Sequence, residues 1–356
     1  MNNQRSQRKQ EHIQLFKEEY NPHYTGFEDV HLIHQALPVN DWDEIDTTWC
    51  FLDKICKAPL FITAITGGHP ASEKINRDLA LVAAETGIGL AVGSQHAALY
   101  NEELVKTYQV IRTENPEGLV FANVGAGVSW DLALKAIEMI GAQGVQVHLN
   151  AAQELMMPEG DRKFTQWLNN IEQLVKKSWV PVIVKETGCG LSRETVLRLK
   201  EVGVEYFDVG GSGGTDFLAI EARRAQLPVR LQLSWGLPTA WALLECLAVC
   251  GNQGHLWASG GILTPLDWAK ALALGAEAVG VAGHFLKTYL DNGLEGLANE
   301  IKEWQRQLKI ICLLTGVSSP AHLKAAAKVI TGKTAEWQKL RAGDVYGCKA
   351  ISSFHA

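Results

Sequence analysis

The sequence predicts an α/β fold: one (β/α)8 TIM barrel carrying N-terminal and C-terminal helical extensions. Three observations lead there. Short apolar runs alternate with longer amphipathic segments eight times between residue 58 and about residue 292. Each run ends in a Gly-rich or polar turn, the pattern of βαβ units around a parallel sheet. The length, 356 residues, accommodates one barrel of about 250 residues with extensions at both ends. A doubly wound dinucleotide-binding sheet would instead place G-x-G-x-x-G after the first strand, where this chain reads Thr66-Gly67-Gly68-His69-Pro70.

The elements follow in order. Ala58 to Thr66 is the first apolar run, with a helical pattern from Ala71 to Thr86 behind it. Ile88 to Val92 precedes Glu102 to Arg112, Leu119 to Val124 precedes Asp131 to Ile140, and Gly144 to Leu149 precedes Lys163 to Lys177. Pro181 to Glu186 pairs with Ser192 to Val202, and Glu205 to Val209 with Asp216 to Ala225. An irregular stretch and the helix-like Ala240 to Val249 lead into His255 to Ser259, followed by the helical Pro265 to Leu274. Ala278 to Ala282 is the eighth run, followed by Phe285 to Leu290. Residues 1–57 form an N-terminal extension, polar at first and Trp-bearing at Trp42 and Trp49. Residues 58–292 form the barrel. Residues 293–356 extend the same domain, with helical patterns over Leu294 to Leu314 and Ala321 to Ile330. No short-period repeat or low-complexity tract interrupts this order.

Composition narrows the function classes. Hydrophobic residues make up 47% and charged residues 20%, enough to bury a large core. A formal net charge of −6 argues against a nucleic-acid partner, so any anionic ligand must be held by local groups. The longest uncharged stretch, Cys246 to Leu266, is broken by glycines, Asn252, His255 and Pro265, which argues against a membrane span. Met1 to His12 lacks the apolar core of a signal peptide. Seven scattered cysteines without a C-x-x-C pair suggest reduced thiols and a cytoplasmic protein, with Cys246 and Cys250 as core fillers.

Chemistry is expected where barrel strands end. Those positions read Thr66-Gly67-Gly68, Gly93-Ser94-Gln95-His96, Asn123-Val124-Gly125, His148-Leu149-Asn150, Lys185-Glu186, Gly210 to Thr215, Ser259-Gly260-Gly261 and Ala282-Gly283. One such turn is ordinary; eight in register form a polar mouth. The loops after the last two strands are a frequent phosphate site in this fold, because backbone N–H groups and a helix start face the anion. Ser259-Gly260-Gly261 and Ala282-Gly283 suit it, and Gly210 to Thr215 adds a third N–H-rich loop with the Thr215 hydroxyl. Thr331-Gly332-Lys333-Thr334 imitates the end of a P-loop, but Ala327 stands where its first glycine belongs. Lys185 ends an apolar run, either snorkelling to solvent or holding an electron-rich cofactor or anion. Glu154, in the company of His148, Asn150 and Gln153, is either a helix-start acid or a single carboxylate suited to Mg²⁺. Zinc lacks a second His or Cys at ligand spacing. By composition alone Arg8 and Lys9 are tail charges.

Taken together these blocks resemble the type 2 (FMN-dependent) isopentenyl-diphosphate delta-isomerases over nearly the whole chain. The resemblance is carried by Arg8-Lys9-Gln10-Glu11-His12, His34-Gln35-Ala36-Leu37-Pro38, Ala58-Pro59-Leu60, Thr66-Gly67-Gly68 and Gly93-Ser94-Gln95. Its most specific block runs from His148-Leu149-Asn150 through Gln153-Glu154 to Met157-Pro158-Glu159-Gly160-Asp161. Val182-Ile183-Val184-Lys185-Glu186, Gly213-Gly214-Thr215, Ser259-Gly260-Gly261 and Ala271 to Ala276 complete it.

The resemblance implies FMN contacts at Ala64, Ile65, Thr66, Ser94, Asn123, Lys185, Thr215, Gly261, Ala282 and Gly283. It implies diphosphate substrate contacts at Arg8, Lys9, Ser94, Gln95 and His96, with Gln153 beside the reacting alkene. His148, Gln153 and Glu154 form the implied catalytic set, with Mg²⁺ on Glu154. It further implies interconversion of isopentenyl and dimethylallyl diphosphate by proton addition and removal, reduced FMN as acid–base cofactor, NADPH as reductant, and a homo-oligomer (tetramer or octamer). This chain departs from the family at three places: His96 and Leu263 stand where arginine is common, and Ile65 where methionine is common. A flavin oxidoreductase on the same barrel is the competing reading. It would need a histidine base and a cation near the seventh strand, where this chain has Leu263 and puts His255 at the strand's start. A barrel that only binds flavin or phosphate is the non-enzymatic alternative.

Overall fold

The computed structural model describes residues 15–16, 20–228, 235–251 and 254–342; Arg8 and Lys9 lie outside the described residues. All eight apolar runs form strands: β1 (Leu60–Ile62), β2 (Gly89–Ala91), β3 (Val120–Gly125), β4 (Gly144–Leu149), β5 (Val182–Glu186), β6 (Tyr206–Asp208), β7 (His255–Ser259) and β8 (Ala278–Val281). Consecutive strands pair in parallel, and β8 returns to β1 to close the barrel. Closure leaves no barrel strand with an unpaired edge.

Most of the helices around the barrel form because one face of each is apolar. In the helix Trp130–Ile140, Ala133, Ala136, Ile137 and Ile140 recur at helical spacing and are buried against the barrel. Gly141 ends it in the left-handed region at φ 56°, a conformation costly for a residue with a side chain. The helix Ser72–Thr86 ends the same way at Gly87. The helix Thr239–Cys250 is buried on most sides, and Cys246 and Cys250 sit in its core contact as expected, 0% and 2% exposed. After β8, the helix Gly283–Leu314 breaks at Gly293 (φ 71°).

The barrel floor is closed by aromatic packing. A hairpin of Trp49–Phe51 with Lys54–Cys56 lies under the strands, and Phe51 meets Phe121 and Trp257 edge-on at 5.2 and 5.4 Å. With Phe61 and Ile183 these rings fill the lower barrel as a separate apolar cluster. Polar strand-end residues are thereby left to the opposite, C-terminal mouth.

The C-terminal extension differs from the sequence reading in one place. Ala321 to Ile330 is not a helix: a 3-10 turn, Pro320–Ala325, is followed by the strand Lys328–Ile330, antiparallel to Val30–Leu32. β-branched Val329 and Ile330 favour the extended form, and the partner that satisfies their backbone lies about 300 residues away. A further helix, Gly332–Ala342, follows. Its Thr334 N–H donates to Asp29 at 2.8 Å, and Arg341 donates to the buried Glu245 at 2.7 Å. Thr334 thus ties the two extensions together, and Arg341 ties the C-terminal one to the barrel helix Thr239–Cys250.

Candidate active site

The mouth encloses a cavity of about 300 Å³. Ala64, Ile65 and Thr66 after β1, Ser94 and His96 after β2, and Asn123 in β3 line it. His148, Gln153 and Glu154 from β4 and its loop, Lys185 at the end of β5 and Thr215 after β6 line it too, as do Gly261, Ala282 and Gly283. Gln95 is the exception among the described candidates. It is fully buried, its amide donates to the Ala136 carbonyl at 2.9 Å, and its carbonyl accepts the Asn123 N–H at 2.9 Å. The side chain expected on a substrate therefore ties the β2 loop to β3 and a neighbouring helix.

The three glycine-rich loops pack backbone against backbone. A Cβ on Gly214 would come within 2.5 Å of the Gly261 nitrogen, and one on Gly261 within 2.5 Å of Thr25 Cγ2. Gly283 lies against the Thr215 hydroxyl, 2.6 Å from where its Cβ would stand, and against Tyr20. The N–H groups of Gly214, Thr215, Gly261 and Gly283 donate to no described residue. Side chains at the three glycines would force the loops apart. Such a set of N–H groups, with the first turn of a helix, binds a phosphate-sized anion.

Charge is concentrated on the far wall. Lys185, 6% exposed, puts Nζ 3.8 Å from Asp208 Oδ2 and donates to the Glu186 carbonyl at 2.8 Å. Burial pushes the Glu186 carboxyl up to about 7, against the opposing pull of the Cys189 N–H, Lys185 and neighbouring N–H groups. Asn123 Oδ1 sits 2.7 Å from His148 Nδ1. Because an amide oxygen only accepts, Nδ1 must carry the proton, which makes Nε2 the basic nitrogen of the neutral ring.

Beside these, Asn150 and the short helix Ala151–Met156 after β4 carry a braced amide–acid group. Asn150 Nδ2 donates to Glu154 Oε1 at 2.9 Å, and the Asp161 N–H donates to Glu154 Oε2 at 2.7 Å. Gln153 Nε2 donates to Glu221 Oε1 at 3.0 Å, while Arg224 Nε holds Glu221 Oε2 at 2.7 Å. Among the described residues no group of three His, Cys, Asp or Glu side chains could hold a metal unaided.

Several site residues escaped the sequence reading. Glu221 and Asp208 are both 0% exposed, and Thr63 lines the cavity with a buried hydroxyl that has no hydrogen-bond partner. Asp208 left a trace, a carboxylate closing an apolar run, which signals a paired buried charge. Glu221 left none, since a helical acid usually reads as a solvated one. His255 lies at the start of β7, where it pairs with Glu277 at 2.8 Å and stacks on Tyr206, away from the cavity lining.

The FMN-dependent dehydrogenase family matches residues 120–329. An isopentenyl-diphosphate delta-isomerase of Moorella thermoacetica is 52% identical over 94% of this chain and 96% of its own. Proteins of the same name from Bacillus licheniformis and Listeria innocua are 43% and 42% identical over 96% of this chain, covering 98% and 96% of theirs. Among solved structures, a flavocytochrome b2 variant with sulfite bound superposes with a TM-score of 0.68 at 18% identity, over 97% of this chain and 88% of that one. A mandelate oxidase variant with benzaldehyde gives 0.66 at 16%, over 89% and 94%. At these identities the structural likeness concerns the barrel alone.

Proposed function

The chain belongs to the isopentenyl-diphosphate delta-isomerase family, and from that premise we infer that it interconverts isopentenyl and dimethylallyl diphosphate with FMN as cofactor. The single observation that carries the reading is the cavity: the described candidates from all eight strand ends, Gln95 excepted, line one space at the barrel mouth.

The residues fit FMN. The close-packed glycine loops leave N–H donors for its phosphate, Lys185 supplies a cation to the far wall, and the unpartnered Thr63 hydroxyl awaits a polar atom. When bound and reduced, FMN supplies an electron-rich ring with an acid–base nitrogen, which suits a double-bond shift with no net redox change. Around it, Lys185 offsets negative charge. Gln153 is held in one orientation by Glu221, so its amide faces the cavity in a fixed sense. Asn123 fixes the tautomer of His148, with the proton on Nδ1. Ser94, His96 and the Arg8-Lys9 arm are assigned to the diphosphate, where an arginine gives a charge-assisted, bidentate contact.

Mg²⁺ on Glu154 fits as a substrate-borne ion. One carboxylate, diphosphate oxygens and water complete its shell, so no cage of protein ligands is needed. NADPH is assigned as reductant. The working unit is taken as a cytoplasmic homo-oligomer, a tetramer or octamer, consistent with exposed apolar side chains at Leu37, Val39 and Ile55. No helix among the described residues is long and apolar enough to cross a membrane.

The test is spectroscopic and isotopic. Purified protein should carry a flavin absorbance and, once reduced without oxygen, should incorporate deuterium from D₂O into the alkene positions of isopentenyl diphosphate. Flavin-loaded protein that oxidises a 2-hydroxy acid and exchanges no deuterium would show the competing oxidoreductase reading to be right.

A further inference from the structure

Lys185 and Asp208 stand side by side in one register row of β5 and β6, both buried. Their charges approach to 3.8 Å, ion-pair distance without a hydrogen bond. Asp208 is fixed from the other side: Oδ1 accepts from Ser259 Oγ at 2.6 Å and from the Gly210 N–H at 3.4 Å. Its Oδ2 is buried and has no hydrogen-bond partner in the structure. A buried ion pair normally closes onto direct hydrogen bonds, because these repay its desolvation. This one is held open. The other acid beside the lysine, Glu186, turns its carboxylate to the N–H groups of Cys189 and Gly190. Asp208 is therefore the carboxylate within ion-pair reach of Lys185 among the described residues.

We propose that Asp208 is the positioning residue for Lys185: its charge holds the ammonium directed at the cofactor cavity without itself taking an ammonium proton. The proposal rests on the reading of the cavity as an FMN site. A buried ammonium without its counter-charge has nothing on that side to hold it in place against its desolvation. Asn at position 208 would keep the shape and the Ser259 contact but remove that counter-charge. Lys185 would then lose its hold on a negatively charged reduced cofactor. A free-standing Asp208 charge would act in the opposite sense, since deleting it would make the cavity more positive and favour the anion. The sign of the effect separates the two.

The experiment is an anaerobic measurement of the midpoint potential of bound FMN in the parent, Asp208→Asn, Lys185→Met and the double variant. Asp208→Asn is expected to weaken the preference for reduced over oxidised FMN at least about tenfold, which lowers a two-electron potential by about 30 mV. Lys185→Met should shift it the same way, and the double variant by no more than about twofold beyond the larger single effect, because the two residues act as one unit. A potential that rises or stays put in Asp208→Asn, or effects that add in the double variant, overturns the proposal. If Asp208→Asn does not fold, Ser259→Ala is read instead. It keeps both charges but frees Asp208 to close on Lys185, and it should lower the preference at least about threefold through the same pair; no change overturns the proposal. A parent protein that binds no FMN would instead overturn the functional reading on which it rests.

Discussion

Gln153 and Glu221, 68 residues apart in the chain, meet at 3.0 Å through Nε2 and Oε1, joining the short helix Ala151–Met156 after β4 to the helix Phe217–Arg224 after β6. Glu221 is itself held by Arg224 and is fully buried. A hydrogen bond to a charged acceptor contributes about 1.5–3 kcal/mol. Glu221→Ala should therefore lower kcat by roughly one to two decades, while KM for isopentenyl diphosphate moves less than about threefold. Steady-state kinetics on the flavin-loaded variant check this. An unchanged kcat would mean that the orientation of Gln153 is immaterial to the reaction.

Glu154 is braced by Asn150 and the Asp161 N–H, so an amide of the same shape can replace it with little disturbance. Glu154→Gln is expected to lose Mg²⁺ activation and most activity while its flavin spectrum stays parental. The reason is charge: an amide does not offset the dehydration of Mg²⁺. A Mg²⁺ titration that matches the parent's removes Glu154 as the ligand.

Burial lifts the Glu186 carboxyl from 4.5 to about 7. A carboxyl whose pKa is raised on folding holds its proton more tightly in the folded chain. Its contribution is full below the unfolded pKa, near 4.3, and declines as pH rises through about 7. The difference at stake is on the order of 3 kcal/mol. Glu186→Gln is neutral throughout, so its thermal midpoint should gain on the parent's between about pH 5 and pH 8. Parallel melting profiles across that range would contradict the raised pKa.

The diphosphate should depend on the N-terminal arm, because an arginine is always charged and makes a bidentate contact with phosphate oxygens. Arg8→Ala should raise KM for isopentenyl diphosphate at least about tenfold without releasing FMN. His96→Arg adds a permanent cation to the cavity lining and should lower KM for isopentenyl diphosphate. A parental KM in both variants would place the diphosphate elsewhere.

The order of strands and helices was legible because each is a local pattern. Apolar runs of strand length, glycine at the ends and apolar faces at helical spacing survive in the sequence whatever the chain meets later. The glycine loops and Lys185 were legible for a related reason: few local environments tolerate three glycine pairs, or a lysine closing an apolar strand. Gln95 was misplaced because its neighbours in sequence are site residues, whereas its own partners, Ala136 and Asn123, come from other elements. The stretch before Ile330 was misassigned for the same kind of reason, since its pairing partner is Val30–Leu32 at the other end of the chain.

By itself, then, the sequence determined the closed parallel barrel, the mouth where its chemistry gathers and the residue types that line it. Tertiary structure alone decided which charges face each other. Asp208 beside Lys185, Glu221 behind Gln153 and Asn123 on His148 are pairings across neighbouring strands and loops. The register of barrel closure and the burial of each carboxylate set those pairings. Neither leaves a periodic mark, because burial and distance are properties of the folded chain and not of any segment within it.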